Sequence, residues 1–246
     1  PYTAGSTQLM HILPPEFIEG GTAATIERLK GKANRDRLRD RMEKGGEGFD
    51  NIAGMVGWEN IIMSTLNTPA NKRFEGMTVQ DIAKARGTDP VNCVCDMLIE
   101  ENCAITMIDF ITCEEDIARI LNCGFASVIS DSIYPASGRP HPRLYGTYAR
   151  IIQRFVGERR DMTLEAAVKA MTYTPAKALN IADRGLLKEG LCADVNVFDP
   201  AEVKERGSYA DPDKCAAGMD YVFVNGKPAI AAGELTGGAF GQVIRR

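Results

Sequence analysis

Histidine is scarce: His11 and His141 are the two imidazoles in 246 residues. A catalytic zinc normally takes three protein ligands, so a self-contained metal site built on several histidines is excluded. No apolar run approaches the ~18 residues of a membrane span, and the first residues carry no signal-like pattern. With 29 basic against 33 acidic side chains the net charge is −4, which gives no electrostatic footprint for nucleic acid. The most basic run, from Arg28 to Lys44, alternates with Asp36, Asp40 and Glu43 and reads as a solvated helix face. Seven cysteines, an odd number without framework spacing, argue against a disulfide scaffold and for a reducing, cytoplasmic setting. The opening Pro1-Tyr2-Thr3-Ala4-Gly5-Ser6-Thr7 has no Met and no charged lead-in, which predicts a piece of a longer polypeptide.

What is present suits one large domain or two small ones around a substantial core. Breakers at Gly5, Ser6, Thr7, Pro14 and Pro15 predict a loop over residues 1–15. Helical patterning follows over 22–30 and 33–44, stopped by Gly45-Gly46. Residues 58–66 read as a strand. A helix over 77–86 has Thr78 as N-cap and Gly87 as stop, and Asp89-Pro90 starts another that reaches Glu101. Apolar strands over 104–110 and 125–130 flank an amphipathic helix over 114–121, a spacing that predicts a parallel strand–helix–strand unit. Helices over 144–157 and 164–179 follow, the second capped by Thr163. Beyond Asp183 the pattern turns to β, with alternating polarity over 193–199 and a hairpin over 221–230 about Asn225-Gly226.

The residues that carry chemistry gather after the second apolar strand. Asp131 stands at its end in Ser130-Asp131-Ser132, and Gly138-Arg139-Pro140-His141-Pro142-Arg143 follows. A carboxylate so placed suits holding a metal or taking a proton from metal-bound water; it equally suits capping a helix or closing a turn. Arg143 offers two parallel hydrogen bonds to a substrate carboxylate, or a salt bridge within its own loop. His141, between two prolines, either lines a pocket or braces the loop, and His11 reads as a surface residue. Cys93-Val94-Cys95 is no metal clip, because helix neighbours two apart point to different faces. Those two and Cys103, Cys113 and Cys123 read as small buried apolar side chains. Asp109 either reaches the mouth of the strand bundle or caps the following helix. Gly237-Gly238 and Gly241 lack the strand–loop–helix context of a phosphate loop.

Longer stretches carry a family likeness. Met171-Thr172-Tyr173-Thr174-Pro175-Ala176-Lys177-Ala178-Leu179, Asp183-Arg184-Gly185-Leu186-Leu187-Lys188-Glu189-Gly190, Ala193-Asp194-Val195-Asn196-Val197-Phe198-Asp199 and Val224-Asn225-Gly226 occur in that order. Together they resemble the closing segment of the amidohydrolase superfamily, where the chain leaves a (β/α)8 barrel and re-enters a small β-sandwich. The first seven residues, Leu13-Pro14-Pro15, Ser130-Asp131, and Pro140-His141-Pro142-Arg143 with Leu144-Tyr145-Gly146-Thr147, are similar to N-acyl-D-amino-acid deacylases (D-aminoacylases). The likeness covers nearly the whole chain.

It implies an α/β fold: the C-terminal part of a (β/α)8, TIM-like metal-dependent hydrolase barrel over residues 1–182, and the last strands of a β-sandwich over 183–246. It implies a zinc-dependent hydrolase of linear amide C–N bonds that releases a D-amino acid. The family's HxH pair, bridging cysteine and two later histidines precede the point matching Pro1, so the other zinc ligands are expected upstream. The implied partners are the N-terminal half of the same enzyme and a small N-acyl-D-amino acid, with no nucleic acid and no membrane. By resemblance Asp131 contacts the metal and carries the proton, Arg143 holds the substrate α-carboxylate, Ser6 assists it, and His141 lies in the substrate loop. Ser132 stands where the family usually has glycine, so its Cβ crowds the substrate or its backbone takes an angle serine tolerates. The chain alone is expected to hydrolyse nothing. A cyclic amidohydrolase of the dihydroorotase or hydantoinase kind shares the closing segment, and a truncated remnant without chemistry is the other alternative.

Overall fold

Capping chemistry decides several element boundaries. The computed structural model describes residues 1–45, 48–134 and 137–244. It divides into two compact units, one of residues 2–113 and 133–141, the other of residue 1, 114–132 and 142–246. The first unit runs β1 (Gly5–Gln8), α1 (Pro15–Ile18), α2 (Gly21–Lys30), α3 (Lys32–Glu43), α4 (Ile52–Val56), β2 (Ile61–Thr65), α5 (Val79–Arg86), α6 (Pro90–Glu100) and β3 (Thr106–Asp109). The Thr78 hydroxyl accepts the Asp81 amide at 3.1 Å, and Gly87 ends α5 at φ +65°. Asp89 accepts the amides of Val91 and Asn92, each at 3.1 Å, with Pro90 in the first turn of α6. Thr78→Ala is expected to lower the stability of this unit by about 1 kcal/mol, read as a lower urea midpoint at unchanged m-value.

The charge alternation over 28–44 leaves Lys30–Glu27 and Lys44–Asp40 in solvent. Arg35, Arg39 and Arg41 instead reach Asp96, Asp89 and Glu16, so one side of α3 is tied inward by ion pairs. Gly45 follows α3 at φ +95°; Gly46 lies outside the described residues. The core of the unit joins Leu9, Ile12, Phe17, Leu29, Leu38, Met63, Ile82, Met97 and Met107. Cys93, Cys95 and Cys103 are buried there as expected, whereas Cys113 and Cys123 are exposed. Burial pushes the Cys93 thiol up to about 11 and Cys95 to about 12, which leaves both protonated and inert at neutral pH.

Four expectations about strands are corrected. Residues 5–8 are not loop: β1 pairs antiparallel with β3, Gly5 opposite Asp109 and Ser6 opposite Ile108. A glycine serves at position 5 because a Cβ there would sit 3.2 Å from Asp109 Oδ1. The sheet order is β1-β3-β2 and both pairings of β3 are antiparallel, so β3 joins no parallel unit. Residues 125–130 form no strand. The Val128 amide donates to the Ala170 carbonyl at 2.9 Å, and an apolar run without a neighbouring strand has no ladder to join. The strand expected from residue 58 starts later, because Trp58–Asn60 is a 3-10 turn.

The second unit runs α7 (Glu114–Leu121), α8 (Arg143–Arg150), a π-helix (Ile151–Glu158), α9 (Leu164–Met171), α10 (Tyr173–Ala178), β4 (Val195–Val197), β5 (Tyr221–Val224), β6 (Lys227–Ala231) and β7 (Glu234–Leu235). Thr163 caps α9 as expected, accepting the Ala166 amide at 3.2 Å. The single helix expected over 164–179 breaks at Thr172, whose backbone leaves the helical region at φ −127°, ψ −78°. Val128, Ile151, Phe155, Met162, Ala167 and Ala170 make one small core, and Ala149, Ile152 and Val203 a second. Strands β4 to β7 form an antiparallel sheet in sequence order. Asn225 and Gly226, at φ +51° and +76°, make the tight turn between β5 and β6 that their dipeptide predicted.

Candidate functional site

Bulge geometry in β2 receives the stretch around Arg139. The β2–β3 register shifts between Met63 and Thr65, which turns Ser64 out of the ladder. The Ser64 carbonyl accepts the Arg139 amide at 2.8 Å, and its hydroxyl donates to the Arg139 carbonyl at 2.6 Å. Gly138, at φ +97°, lies against this strand, where a Cβ would come within 2.7 Å of Thr65 Oγ1. His141 is buried in the same unit. Its Nε2 is 3.1 Å from the Ala4 carbonyl and its ring meets Tyr2 edge-on, centroids 4.9 Å apart. Ser6 is half-buried in β1. His11 is exposed and its Nδ1 is 2.7 Å from the Thr7 hydroxyl. Asp109 is buried at the end of β3, beside Gly5.

Asp131 and Arg143 belong to the other unit, and there they meet. Asp131 Oδ2 lies 3.0 Å from Arg143 Nη2; the acid's side chain is 72% exposed and the arginine's 14%. Arg143 is the first residue of α8, entered from Pro142, whose ring suits a helix start. The Thr147 hydroxyl donates to the Arg143 carbonyl at 2.8 Å, and Gly146, Thr147 and Ala149 are buried, so that end of the helix is anchored. Asp131 sits in irregular backbone at φ +46°, a left-handed angle that aspartate visits more readily than most residues. Ser132 is not among the residues of positive φ, and its hydroxyl donates to the Ser130 carbonyl at 3.3 Å. The unusual angle therefore falls on the acid itself. The salt bridge weighed for Arg143 exists, but its partner lies before the loop.

These residues do not make a metal site by themselves. Among the described residues no three His, Cys, Asp or Glu side chains converge on a common point. His11 and His141 are engaged by Thr7 and Ala4, and Asp131 faces a cation. One carboxylate cannot hold a catalytic zinc. No helix is long and apolar enough to cross a membrane among the described residues.

The likeness to known proteins is extensive. The sequence model of the amidohydrolase family matches residues 75–230, more than half of the chain. An N-acyl-D-glutamate deacylase of Alcaligenes xylosoxydans xylosoxydans is 37% identical over 165 residues, which are 67% of this chain and 32% of that protein. A crystal structure of D-aminoacylase, described as defining a novel subset of amidohydrolases, superposes on 100% of this chain and 42% of its own, with TM-score 0.72 and 28% identity. The N-acyl-D-glutamate deacylase of Bordetella bronchiseptica, solved with zinc and a phosphonate that mimics the tetrahedral intermediate, covers 95% of this chain and 48% of its own, with TM-score 0.69 and 31% identity. The chain spans about a third of the length of the curated relatives it matches. Its mixed α/β fold corresponds to part of D-aminoacylase, without a closed barrel among the described residues. The match over 156 positions and the shared fold lead to one conclusion: the chain belongs to the amidohydrolase family.

Proposed function

We propose that these residues are the C-terminal part of a zinc-dependent enzyme that hydrolyses N-acyl-D-amino acids to a carboxylate and a free D-amino acid. The observation that carries this reading is the superposition of the entire chain on D-aminoacylase. In this proposal residues 1–182 are the last part of a (β/α)8 barrel and residues 183–246 the closing strands of a β-sandwich. The exposure of the second sheet supports it: none of the residues in β4 to β7 is buried, as suits a sheet still lacking a covering layer. Apolar side chains before Asp131 are also bare, with Phe125 81% and Ile129 64% exposed. The covering partner we propose is the N-terminal half of the same enzyme.

Zinc in such an enzyme activates water and polarises the amide carbonyl. The ligand set is incomplete in the described residues, so we assign its remainder to sequence preceding Pro1. Asp131 is the acid of the catalytic centre contributed by this part. Arg143 pairs with the substrate α-carboxylate, for which its planar fork is suited, and Ser6 adds a hydroxyl. We also assign His141 to the substrate loop, its ring held by the Ala4 carbonyl and by Tyr2. The odd count of seven cysteines without framework spacing supports a reducing, cytoplasmic setting.

The test is an assay of the 246-residue chain, alone and co-expressed with the sequence encoded upstream, on N-acetyl-D-glutamate, N-acetyl-D-methionine and a 5-substituted hydantoin. The expected result is no turnover by the chain alone, and zinc-dependent release of D-amino acid by the combination. Turnover by the chain alone would refute the missing ligands. Hydrolysis of the hydantoin in place of the acyl amino acids would make it a cyclic amidohydrolase, and an inert combination would make it a remnant.

A further inference from the structure

We propose that Asn225-Gly226 is a deamidation site kept closed by the Arg184 guanidinium, and that opening of the cluster around it converts Asn225 to aspartate and isoaspartate. Asn225 is the one asparagine of the chain followed by glycine; the others precede bulkier side chains. A glycine there removes the side chain that would obstruct ring closure. In the reaction the Gly226 nitrogen gives its proton to a base in solvent and bonds to Asn225 Cγ. The Cγ–Nδ2 bond breaks and ammonia leaves. Water then opens the cyclic imide at either carbonyl, so that water is consumed, ammonia is released and nothing is oxidised.

Each group the reaction needs is engaged elsewhere, within one compact unit. Arg184 Nη2 donates to Asn225 Oδ1 at 2.6 Å, and Asn225 Nδ2 donates to the Phe240 carbonyl at 2.6 Å, so the carboxamide is held at both ends. The nucleophile, the Gly226 N–H, donates to the Ala193 carbonyl at 2.9 Å. The Asn225 amide donates to Asp194 Oδ1 at 2.8 Å, and Asp194 Oδ2 accepts from Arg184 Nη1. Arg184 is the shared piece: its side chain is 12% exposed and its planar fork spans Asp194 and Asn225. Its Nε is buried without a hydrogen-bond partner among the described residues, so the guanidinium is aimed at those two acceptors rather than fitted to every neighbour. Its pull on the Asn225 carbonyl activates nothing while the Gly226 N–H stays on Ala193. The change is one-way. Aspartate sets a carboxylate oxygen against the Phe240 carbonyl where Nδ2 donated, and isoaspartate adds a carbon to the backbone of the turn.

The experiment incubates the 246-residue chain in mildly alkaline buffer and follows conversion of this dipeptide by peptide mass mapping, with isoaspartyl methyltransferase labelling as a second readout. Wild type is expected to convert about tenfold more slowly when folded than in concentrated urea. Arg184→Met is expected to raise the folded-state rate about tenfold. Val222→Ala weakens β5 away from the cluster and is expected to stay close to the wild-type rate. Circular dichroism shows whether each variant folds; if Arg184→Met does not, Arg184→Lys, which keeps the charge beside Asp194 but lacks the fork, is read in its place. Equal wild-type rates in buffer and in urea overturn the closed state. An unchanged rate in the Arg184 variant, with the urea rate fast, overturns the guard. Equal acceleration in Val222→Ala and the Arg184 variant assigns control to the sheet as a whole and overturns it too.

Discussion

Glu101→Gln is expected to destabilise the unit of residues 2–113 and 133–141 by about 3 kcal/mol at pH 7, roughly two orders of magnitude in its unfolding equilibrium. Glu101 is 3% exposed and follows the last turn of α6, where the helix carbonyls present partial negative charge. A carboxylate persists there because donors surround it. The Asn67 amide donates at 2.6 Å, the Thr68 amide at 3.1 Å, the Asn71 carboxamide at 2.9 Å, and the Thr68 hydroxyl donates as well. A glutamine keeps the shape but turns an NH2 toward N–H and O–H groups, which leaves donor facing donor in a buried site. Burial pushes the Glu101 carboxyl up, yet the bonds from Thr68, Asn67 and Asn71 outweigh it and hold the pKa below the ordinary 4.5. The contribution is therefore complete above that range and is lost as pH falls through the folded-state pKa. Urea titrations of wild type and variant should diverge most at pH 7 and converge in acid. A gap that stayed constant down to pH 3 would show that Glu101 acts by shape alone.

Much of the fold is legible where one short segment suffices to specify it. Thr78 with Gly87, Asp89 with Pro90, and Asn225 with Gly226 each carry their cap or turn within a few residues, and each forms as its residue types require. Strand pairing is less local. Gly5, Ser6 and Thr7 look like breakers until residues 106–109 arrive to pair with them, and nothing between two apolar runs states whether a third strand will lie beside them. Residues 125–130 have the composition of a buried strand but lack a neighbour, so composition alone mistakes them. The expected helix over 144–157 is helical, but residues 151–158 wind more widely as a π-helix, a change of hydrogen-bond step to which apolar periodicity is nearly blind.

The candidate site divides in the same way. The residue types of Asp131 and Arg143 could be read, but the acid expected at a strand end lies in irregular backbone, and the arginine expected in the loop opens a helix. Their pairing across eleven intervening residues could not, because it depends on where the loop between them goes. The donors of Glu101 stand about thirty residues before it, in Asn67, Thr68 and Asn71, none of which has a pattern that announces a buried carboxylate.

Glu114→Gln is expected to cost the other unit about 2 kcal/mol and to loosen the helix that begins at Arg143. Glu114 opens α7 and receives three guanidinium groups: Arg150 at 3.0 Å, Arg154 at 2.8 and 3.0 Å through both of its ends, and Arg159 at 3.1 Å. Its side chain is 16% exposed, so screening by water is incomplete. The hydrogen bond from Arg154 is the strongest influence holding its carboxyl below the ordinary range, with Arg150 and Arg159 assisting against a modest burial penalty. Without that charge the three cations are not abandoned. Arg150 keeps Glu205, Arg154 keeps Glu158, and Arg159 keeps Asp161, which is why the expected loss stays below that of Glu101. All three arginines lie at the end of α8, within the π-helix or just after it, so the carboxylate clamps the far end of the element whose first residue is Arg143. A double-mutant cycle of Glu114→Gln with Arg154→Met should give a coupling of about 1 kcal/mol that shrinks between 0.05 and 0.5 M salt. The stability this carboxylate contributes is present above the ordinary range and disappears as pH falls through its lowered pKa. A coupling near zero at low salt would mean that the arginines are held by their other acids and that Glu114 is dispensable.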